Sequence, residues 1–331
     1  RPLNSNETAR GDNESLNVLQ DRQTLQIVAP VGEVGVSKPL TFNSVYDSSV
    51  PQEAFFSGCG IVDLIDRALE GYYTTIFAYG QTGSGKTYTI TGPDSVARSS
   101  PPSQGVVPRA LSYLFASIAS RLPPEDSIAD PRGNENFQEQ PQRYTVRASY
   151  LEIHNEVVHD LLTSHPQPLS VRYKPNLGFY VENLFVVECE VLDDALAVLE
   201  EGLRNRTVGS HKMNEHSSRS HAVMTVHVDS YDPVVGVTKS GKITFVDLAG
   251  SERVSDTDST GATFNEALSI NKSLLTLGNC ISALSDPKRK KGGHIPYRDS
   301  KLTKLLMDSL GGNGFALMAN CLRLSVLAAT D

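Results

Sequence analysis

Gly80-Gln81-Thr82-Gly83-Ser84-Gly85-Lys86-Thr87 is the stretch that decides the fold. It fits the pattern GxxxxGK[ST], and its surroundings give that pattern a physical role. The run before it, Thr75-Ile76-Phe77-Ala78-Tyr79, is apolar and β-prone and reads as a buried strand. After it the chain can start a helix. A strand that feeds a glycine-rich loop and then a helix N-terminus aims several backbone N–H groups at one point. The glycines allow the backbone to approach phosphates closely. Lys86 is expected to reach the β- and γ-phosphates, and the Thr87 hydroxyl to ligate Mg²⁺. Residues Gly80, Gln81, Thr82, Gly83, Ser84, Gly85, Lys86 and Thr87 are thus the expected phosphate-binding set.

Working outward, the chain alternates strand-like and helix-like patterns. Tyr144 to Ile153, Ala222 to Val228 and Lys242 to Leu248 read as strands, and Asp193 to Arg206 as a helix. Ile270, Leu274, Leu277, Ile281 and Leu284 form one apolar stripe on a long helix. Lys301 to Leu310 reads as a second helix, with Leu302, Leu305 and Leu306 inward and Lys301 and Lys304 outward. Thr91 to Gln104 and Pro123 to Gln142 read as loops, the latter polar enough for disorder. This mix argues for one α/β domain, although 331 residues could hold about two.

Composition excludes several classes. A formal net charge of −8 disfavours a nucleic-acid partner, since such surfaces are usually basic. No run of about 18 apolar residues exists, so no membrane span is expected. No signal peptide is visible, and the chain opens at Arg1 rather than Met. Cys59, Cys189, Cys280 and Cys321 are scattered without a CxxC pair, which fits reduced thiols better than a disulfide framework or a zinc site.

Two further segments belong with the phosphate loop. Asp247 ends the apolar run ITFV and precedes Leu248-Ala249-Gly250. An aspartate there suits a carboxylate that holds Mg²⁺ through water, and Gly250 leaves its N–H free for a γ-phosphate. Asn214-Glu215-His216-Ser217-Ser218-Arg219-Ser220-His221 is dense in hydroxyls and precedes the strand AVMTVHV. Together GQTGSGKT, NEHSSRSH and DLAGSE, in this order and spacing, resemble the kinesin motor family. The likeness extends to YLEIHNE, SINKSL and HIPYRDSKLT and covers nearly the whole chain. GFYVE and RASYLEI are most similar to the family's twelfth subfamily.

The resemblance implies a P-loop NTPase-type kinesin motor fold, with a central mixed sheet of eight strands and helices on both faces. It implies hydrolysis of ATP with Mg²⁺, coupled to force on microtubules, in the cytoplasm and at the cytoskeleton. Ser218 would add a hydroxyl to Mg²⁺, Ser217 would hold the attacking water, and Asn214 would contact phosphate oxygens. Arg219 and Glu252 would form a salt bridge between the two switch loops. Tyr88 and Pro2 would sit on either side of the adenine. A homodimer through coiled-coil segments outside this stretch is the further partner that the likeness allows.

For tubulin, which is acidic, the contact candidates are the loop cations Lys288, Arg289, Lys290 and Lys291, with Arg298, Lys301 and Lys304 after them. Lys272, off the apolar stripe, and the segment from His154 to His159 join them. The chain also departs from the family. Val254 to Glu266 has no Lys or Arg and carries Asp256 and Asp258, so weaker microtubule affinity is expected. The chain begins inside the family's first strand. Residues 1–321 are expected to form the motor domain, and 322–331 a tail unlike the family's last helix and neck linker. The competing reading is a nonmotile kinesin-like scaffold that holds nucleotide or tubulin without turnover; a nucleic-acid NTPase is a distant third.

Overall fold

A computed structural model of the chain describes residues 1–11, 13–14, 16–27, 39–93, 101–122, 142–164, 166–211, 218–252, 262–286, 293–311, 314–323 and 325–326. In chain order the strands are β1 (Asn13–Glu14), β2 (Leu16–Val18), β3 (Thr24–Ile27), β4 (Pro39–Thr41), β5 (Tyr73–Tyr79), β6 (Arg143–His154) and β7 (Val157–Asp160). They continue with β8 (Val171–Lys174), β9 (Gly178–Val181), β10 (Val187–Cys189), β11 (His221–Asp232), β12 (Val237–Asp247), β13 (Phe315–Asn320) and β14 (Ser325–Val326). The helices are α1 (Ser5–Ala9), α2 (Gln52–Gly58), α3 (Ile61–Leu69), α4 (Lys86–Ile90), α5 (Val106–Arg121), α6 (Leu192–His211), α7 (Ala262–Ser285), α8 (Lys301–Leu305) and α9 (Met307–Leu310).

Period-two alternation builds the centre. β5 sends Ile76 and Ala78 to one face and Phe77 to the other, all buried. β6, β11 and β12 do the same with Ala148 against Leu151, Met224 against Val223, and Phe245 against Val246. The strands lie in the order β10-β6-β11-β12-β5-β13, with β7 paired to β6. β6, β11 and β12 are antiparallel neighbours, whereas β12, β5 and β13 run parallel. The central sheet has seven strands among the described residues, one fewer than the resemblance implies.

Two apolar layers cover the sheet. On the first face, Phe56 of α2, Ile61, Ile65 and Leu69 of α3, Leu111 and Leu114 of α5, and Leu199 of α6 pack on the strands. On the second, Leu277 of α7, Leu302 of α8 and Leu306 pack with Val171 and Val181 of the β8–β9 hairpin. Fully burying one such side chain contributes about 1.5–3 kcal/mol, so both layers are needed to hold a sheet of this width.

The expected strands and helices are present, with corrected bounds. The helix over Lys301 to Leu310 breaks at Leu306, giving α8 and then α9. The Ser300 hydroxyl caps α8 by accepting from the Thr303 N–H, and Glu156 takes the Lys301 N–H at 2.7 Å. The line of deepest burial on α7 is Ile270, Ser273, Thr276, Leu277, Cys280 and Ala283, with Leu274 and Ile281 only partly covered. Ile270 and Leu277 of the predicted stripe are buried, but Ser273, Thr276, Cys280 and Ala283 are covered more deeply than its Leu274 and Ile281, and Ser273 bonds His221 of β11.

Candidate active site

The phosphate loop leaves the carboxyl end of β5, inside the parallel part of the sheet. Ligand sites of open α/β sheets form at such ends. Asp247 of β12 lies opposite Ala78 of β5, and the Cys321 N–H after β13 donates to the Tyr79 carbonyl at 2.7 Å. Gly83 and Gly85 have φ of +75° and +101°, the left-handed region that favours glycine. A β-carbon on Gly80 would strike the Cys321 carbonyl.

Lys86 opens α4 and is 7% exposed. Its Nζ donates to the Gln81 carbonyl at 3.0 Å. Burial pushes its pKa down, against the pull of the Asp247 and Glu252 carboxylates. An ammonium has three donors, so a desolvated one with this partner retains capacity for an anion. Thr87 Oγ1 donates to Asp247 Oδ2 at 2.7 Å, and Arg206 of α6 donates to the same oxygen at 2.7 Å. Asp247 is 2% exposed, and its other oxygen, Oδ1, is buried without a hydrogen-bond partner. Oxygen donors alone, from Thr87, Asp247 and Ser218, suit a hard cation such as Mg²⁺. The unsatisfied Oδ1 fits a role through water.

Behind Asp247 sits a buried charge network. Arg206 also lies 3.8 Å from Glu152 Oε1 and donates to the Ser220 carbonyl at 3.2 Å. The Ser220 hydroxyl donates to Glu152. Burial works against the guanidinium charge, and Asp247, Tyr150 and Glu152 more than offset it.

The two switch segments touch. The Gly250 N–H, expected to face a phosphate, donates to the Ser218 carbonyl at 2.8 Å, and the Ser251 N–H donates to the Gly80 carbonyl at 3.2 Å. The Arg219–Glu252 ion pair is not present among the contacts of the described residues. Glu252 instead accepts the Thr82 N–H at 2.8 Å and the Thr82 hydroxyl, so both of its oxygens are taken by the phosphate loop. Ser218 and Arg219 make further contacts of their own. Asn214 and Ser217 lie outside the described residues.

Tyr88 stands on α4, 52% exposed, and its carbonyl takes Gln52 Nε2 at 2.6 Å. Pro2 is exposed beside Arg1, whose Nε donates to the Gly83 carbonyl. The Arg1 guanidinium also grips the buried Glu7 carboxylate at 2.6 and 2.7 Å and holds its pKa down to about 2. Both expected base contacts therefore flank the phosphate loop.

Of the expected tubulin contacts, Lys272 is exposed on α7, and Lys301 and Lys304 are half-buried on α8. Arg298 lies in a 3₁₀ turn, Tyr297–Asp299, with its guanidinium 5.9 Å from the Tyr173 ring centre. All four belong to the second layer, since α7, α8 and the turn pack on one another. Lys288, Arg289, Lys290 and Lys291 lie outside the described residues. Sequence reasoning assigned no role to Arg206, Glu152, His221 or Ser273. Charged residues inside an apolar helix or strand pattern, as Arg206 and Glu152 are, were the available signal.

Comparison with known proteins completes the picture. A family model described as the kinesin motor domain matches residues 1–329. Kinesin-like protein KIF12 of Mus musculus is 44% identical over 334 residues, covering 97% of this chain and 47% of that protein. Chromosome-associated kinesin KIF4 of Gallus gallus is 39% identical over 325 residues, covering 97% of this chain and 24% of that protein. The chain therefore spans less than half the length of these relatives. A solved structure titled "Structure of a fast kinesin: Implications for ATPase mechanism and interactions with microtubules" is 37% identical with a TM-score of 0.82, covering 97% of this chain and 83% of that one. With the phosphate loop and the two-faced sheet assembled as described, the chain belongs to the kinesin motor-domain family.

Proposed function

We propose that the chain is a microtubule-stimulated ATPase of kinesin type, which turns over Mg²⁺-ATP and couples this to movement on microtubules at the cytoskeleton. The observation that carries the reading is the Lys86–Thr87–Asp247 arrangement. A buried ammonium, a hydroxyl and a half-satisfied carboxylate converge beside Gly250, which is already bonded to Ser218. Lys86 and the loop N–H groups hold the β- and γ-phosphates. Thr87, Ser218 and, through water, Asp247 would hold Mg²⁺, which would neutralise phosphate charge. The Gly250 N–H exchanges the Ser218 carbonyl for a γ-phosphate oxygen. Glu252 leaves Thr82 for Arg219 in the same rearrangement, with Ser217 and Asn214 arranged about the attacking water and the phosphates. Tyr88 and Pro2 take the base.

Tubulin is the proposed partner, met through Lys272, Arg298, Lys301, Lys304 and the cations at 288–291. The proposed motor unit is residues 1–321, with 322–331 as a tail although the family model runs on to residue 329, and a homodimer through coiled-coil segments is the further proposed partner. Steady-state ATP turnover with and without microtubules tests the reading. Stimulation is expected, with Lys86→Ala losing most nucleotide affinity. Unstimulated turnover in the wild-type chain, or full nucleotide affinity in Lys86→Ala, sinks it.

A further inference from the structure

His221, the first residue of β11, is fully enclosed and joins three elements at once. Its Nδ1 accepts the Ala249 N–H at 2.9 Å. A ring nitrogen that accepts carries no proton, so in the neutral ring Nε2 bears it. Nε2 then donates to Ser273 Oγ at 2.7 Å, and that hydroxyl passes its own hydrogen to the Ile270 carbonyl at 2.8 Å. One tautomer satisfies every donor and acceptor in the chain. Burial, reinforced by the Arg206 charge, pushes the ring's pKa down to about 3 and keeps it neutral.

The ends of this relay are the informative part. Ala249 precedes Gly250, whose N–H holds the Ser218 carbonyl. Ser273 lies on the buried face of α7, next in sequence to the exposed Lys272. The turn after β12 is therefore linked to α7 by two directional hydrogen bonds through His221 as well as by apolar contacts. Apolar packing tolerates small slides, whereas a hydrogen bond weakens steeply once its angle or length departs from the optimum. A buried donor left unmade costs about 1–3 kcal/mol, so the turn and the helix must move together or separate at that cost.

We infer that His221 is a positioning residue that ties the Ala249–Gly250 turn to α7 through Ser273, so that displacement of the turn by nucleotide moves the helix. The inference rests on the motor reading and adds to it the residue that links the two sites.

The test is Ser273→Ala against Ser273→Thr, with wild type in parallel. In Ser273→Ala, basal ATP turnover and ADP affinity are expected to stay within about twofold. Microtubule-stimulated kcat is expected to fall about tenfold with little change in microtubule KM, the size of one buried hydrogen bond expressed in a rate. Ser273→Thr, which keeps the hydroxyl, should recover most of the stimulation. Hydrogen exchange of α7 amides in ADP and in a non-hydrolysable ATP analogue supplies a readout without microtubules. A nucleotide-dependent difference is expected in wild type and should vanish in Ser273→Ala. Equal stimulation in wild type and Ser273→Ala, an unchanged α7 response, or loss of basal and stimulated turnover in the same proportion overturns the inference. A wild-type chain without stimulation but with a nucleotide response in α7 sinks the motor reading alone, and the exchange difference still decides the link.

Discussion

Replacing Arg206 by Met should destabilise the fold more than almost any other single change near the site. The guanidinium sits between Asp247, at 2.7 Å, and Glu152, at 3.8 Å, and all three side chains are buried. Met matches the length of the Arg stem, so the cavity created is small and the electrostatic loss dominates. Breaking a buried pair from one side costs about 3–5 kcal/mol, because a charge is left without its counter-ion. Here two carboxylates lose a cation, while Lys86 still offsets part of the Asp247 charge, so the same range holds. Against a total stability of about 5–15 kcal/mol this is a large share. At about 2–4 °C per kcal/mol, the melting midpoint should drop by roughly 6–20 °C. Urea unfolding of wild type, Arg206→Met and Arg206→Lys, followed by tyrosine fluorescence, measures the loss of stability, and a thermal melt the midpoint. Arg206→Lys should fall between the other two, since it keeps the charge and loses the planar fork. An Arg206→Met variant within about 1 kcal/mol of wild type would refute the idea that this network is held by the guanidinium.

Acid should weaken the fold through histidines. His221 is pushed down to about 3 and His227 to about 4, each by burial first, with Lys242 and Arg147 adding to the latter. Each ring gains its proton on unfolding, so this stability is complete above about pH 6.5 and is lost as pH falls towards 4, at no more than about 1.4 kcal/mol per pH unit per ring. His227→Gln should flatten the slope between pH 6.5 and 5; a wild-type urea midpoint unchanged over that range contradicts the assignment. Microtubule binding should fall steeply with added salt, because exposed cations act within a Debye length of about 8–10 Å. Replacing Lys288, Arg289, Lys290 and Lys291 together by Ala should reduce cosedimentation strongly and leave basal turnover nearly unchanged. Cosedimentation equal to wild type at low and moderate salt would show that these cations do not dock the chain.

The parts of the site that sequence revealed are those made by local chain geometry. The phosphate loop needs glycines, a lysine and a hydroxyl within eight positions, and Asp247 follows its strand directly. The strands were legible because β5, β6, β11 and β12 bury both faces with apolar side chains. What sequence did not give depends on distant contacts. Arg206 puts a charge into the apolar pattern of its helix, but its partner is not legible until β12 brings Asp247 to it. The α7 stripe shifted because Ser273 and Thr276 bury their hydroxyls by bonding Ile270, His221 and Lys272, which apolar periodicity cannot register. The Thr82–Glu252 contact was hidden for a similar reason. Two donors on Thr82 compete with Arg219, and only the fold sets their reach.

The parallel trio β12, β5 and β13 also has a consequence for the birth of the protein. β5 is made early, but its ladder partners are Lys242–Asp247 and Phe315–Asn320. At about 5–20 residues per second, the strand carrying the phosphate loop waits roughly ten to thirty seconds for the first partner and longer for the second. Through that interval a largely apolar strand has both edges open, which invites pairing with other chains. Pairings this distant in sequence also form slowly once available. Within this stretch the nucleotide site is thus among the last features to be completed as the chain emerges. The cell's cost of making this chain should lie in shielding residues 73–79 until residue 320 has emerged.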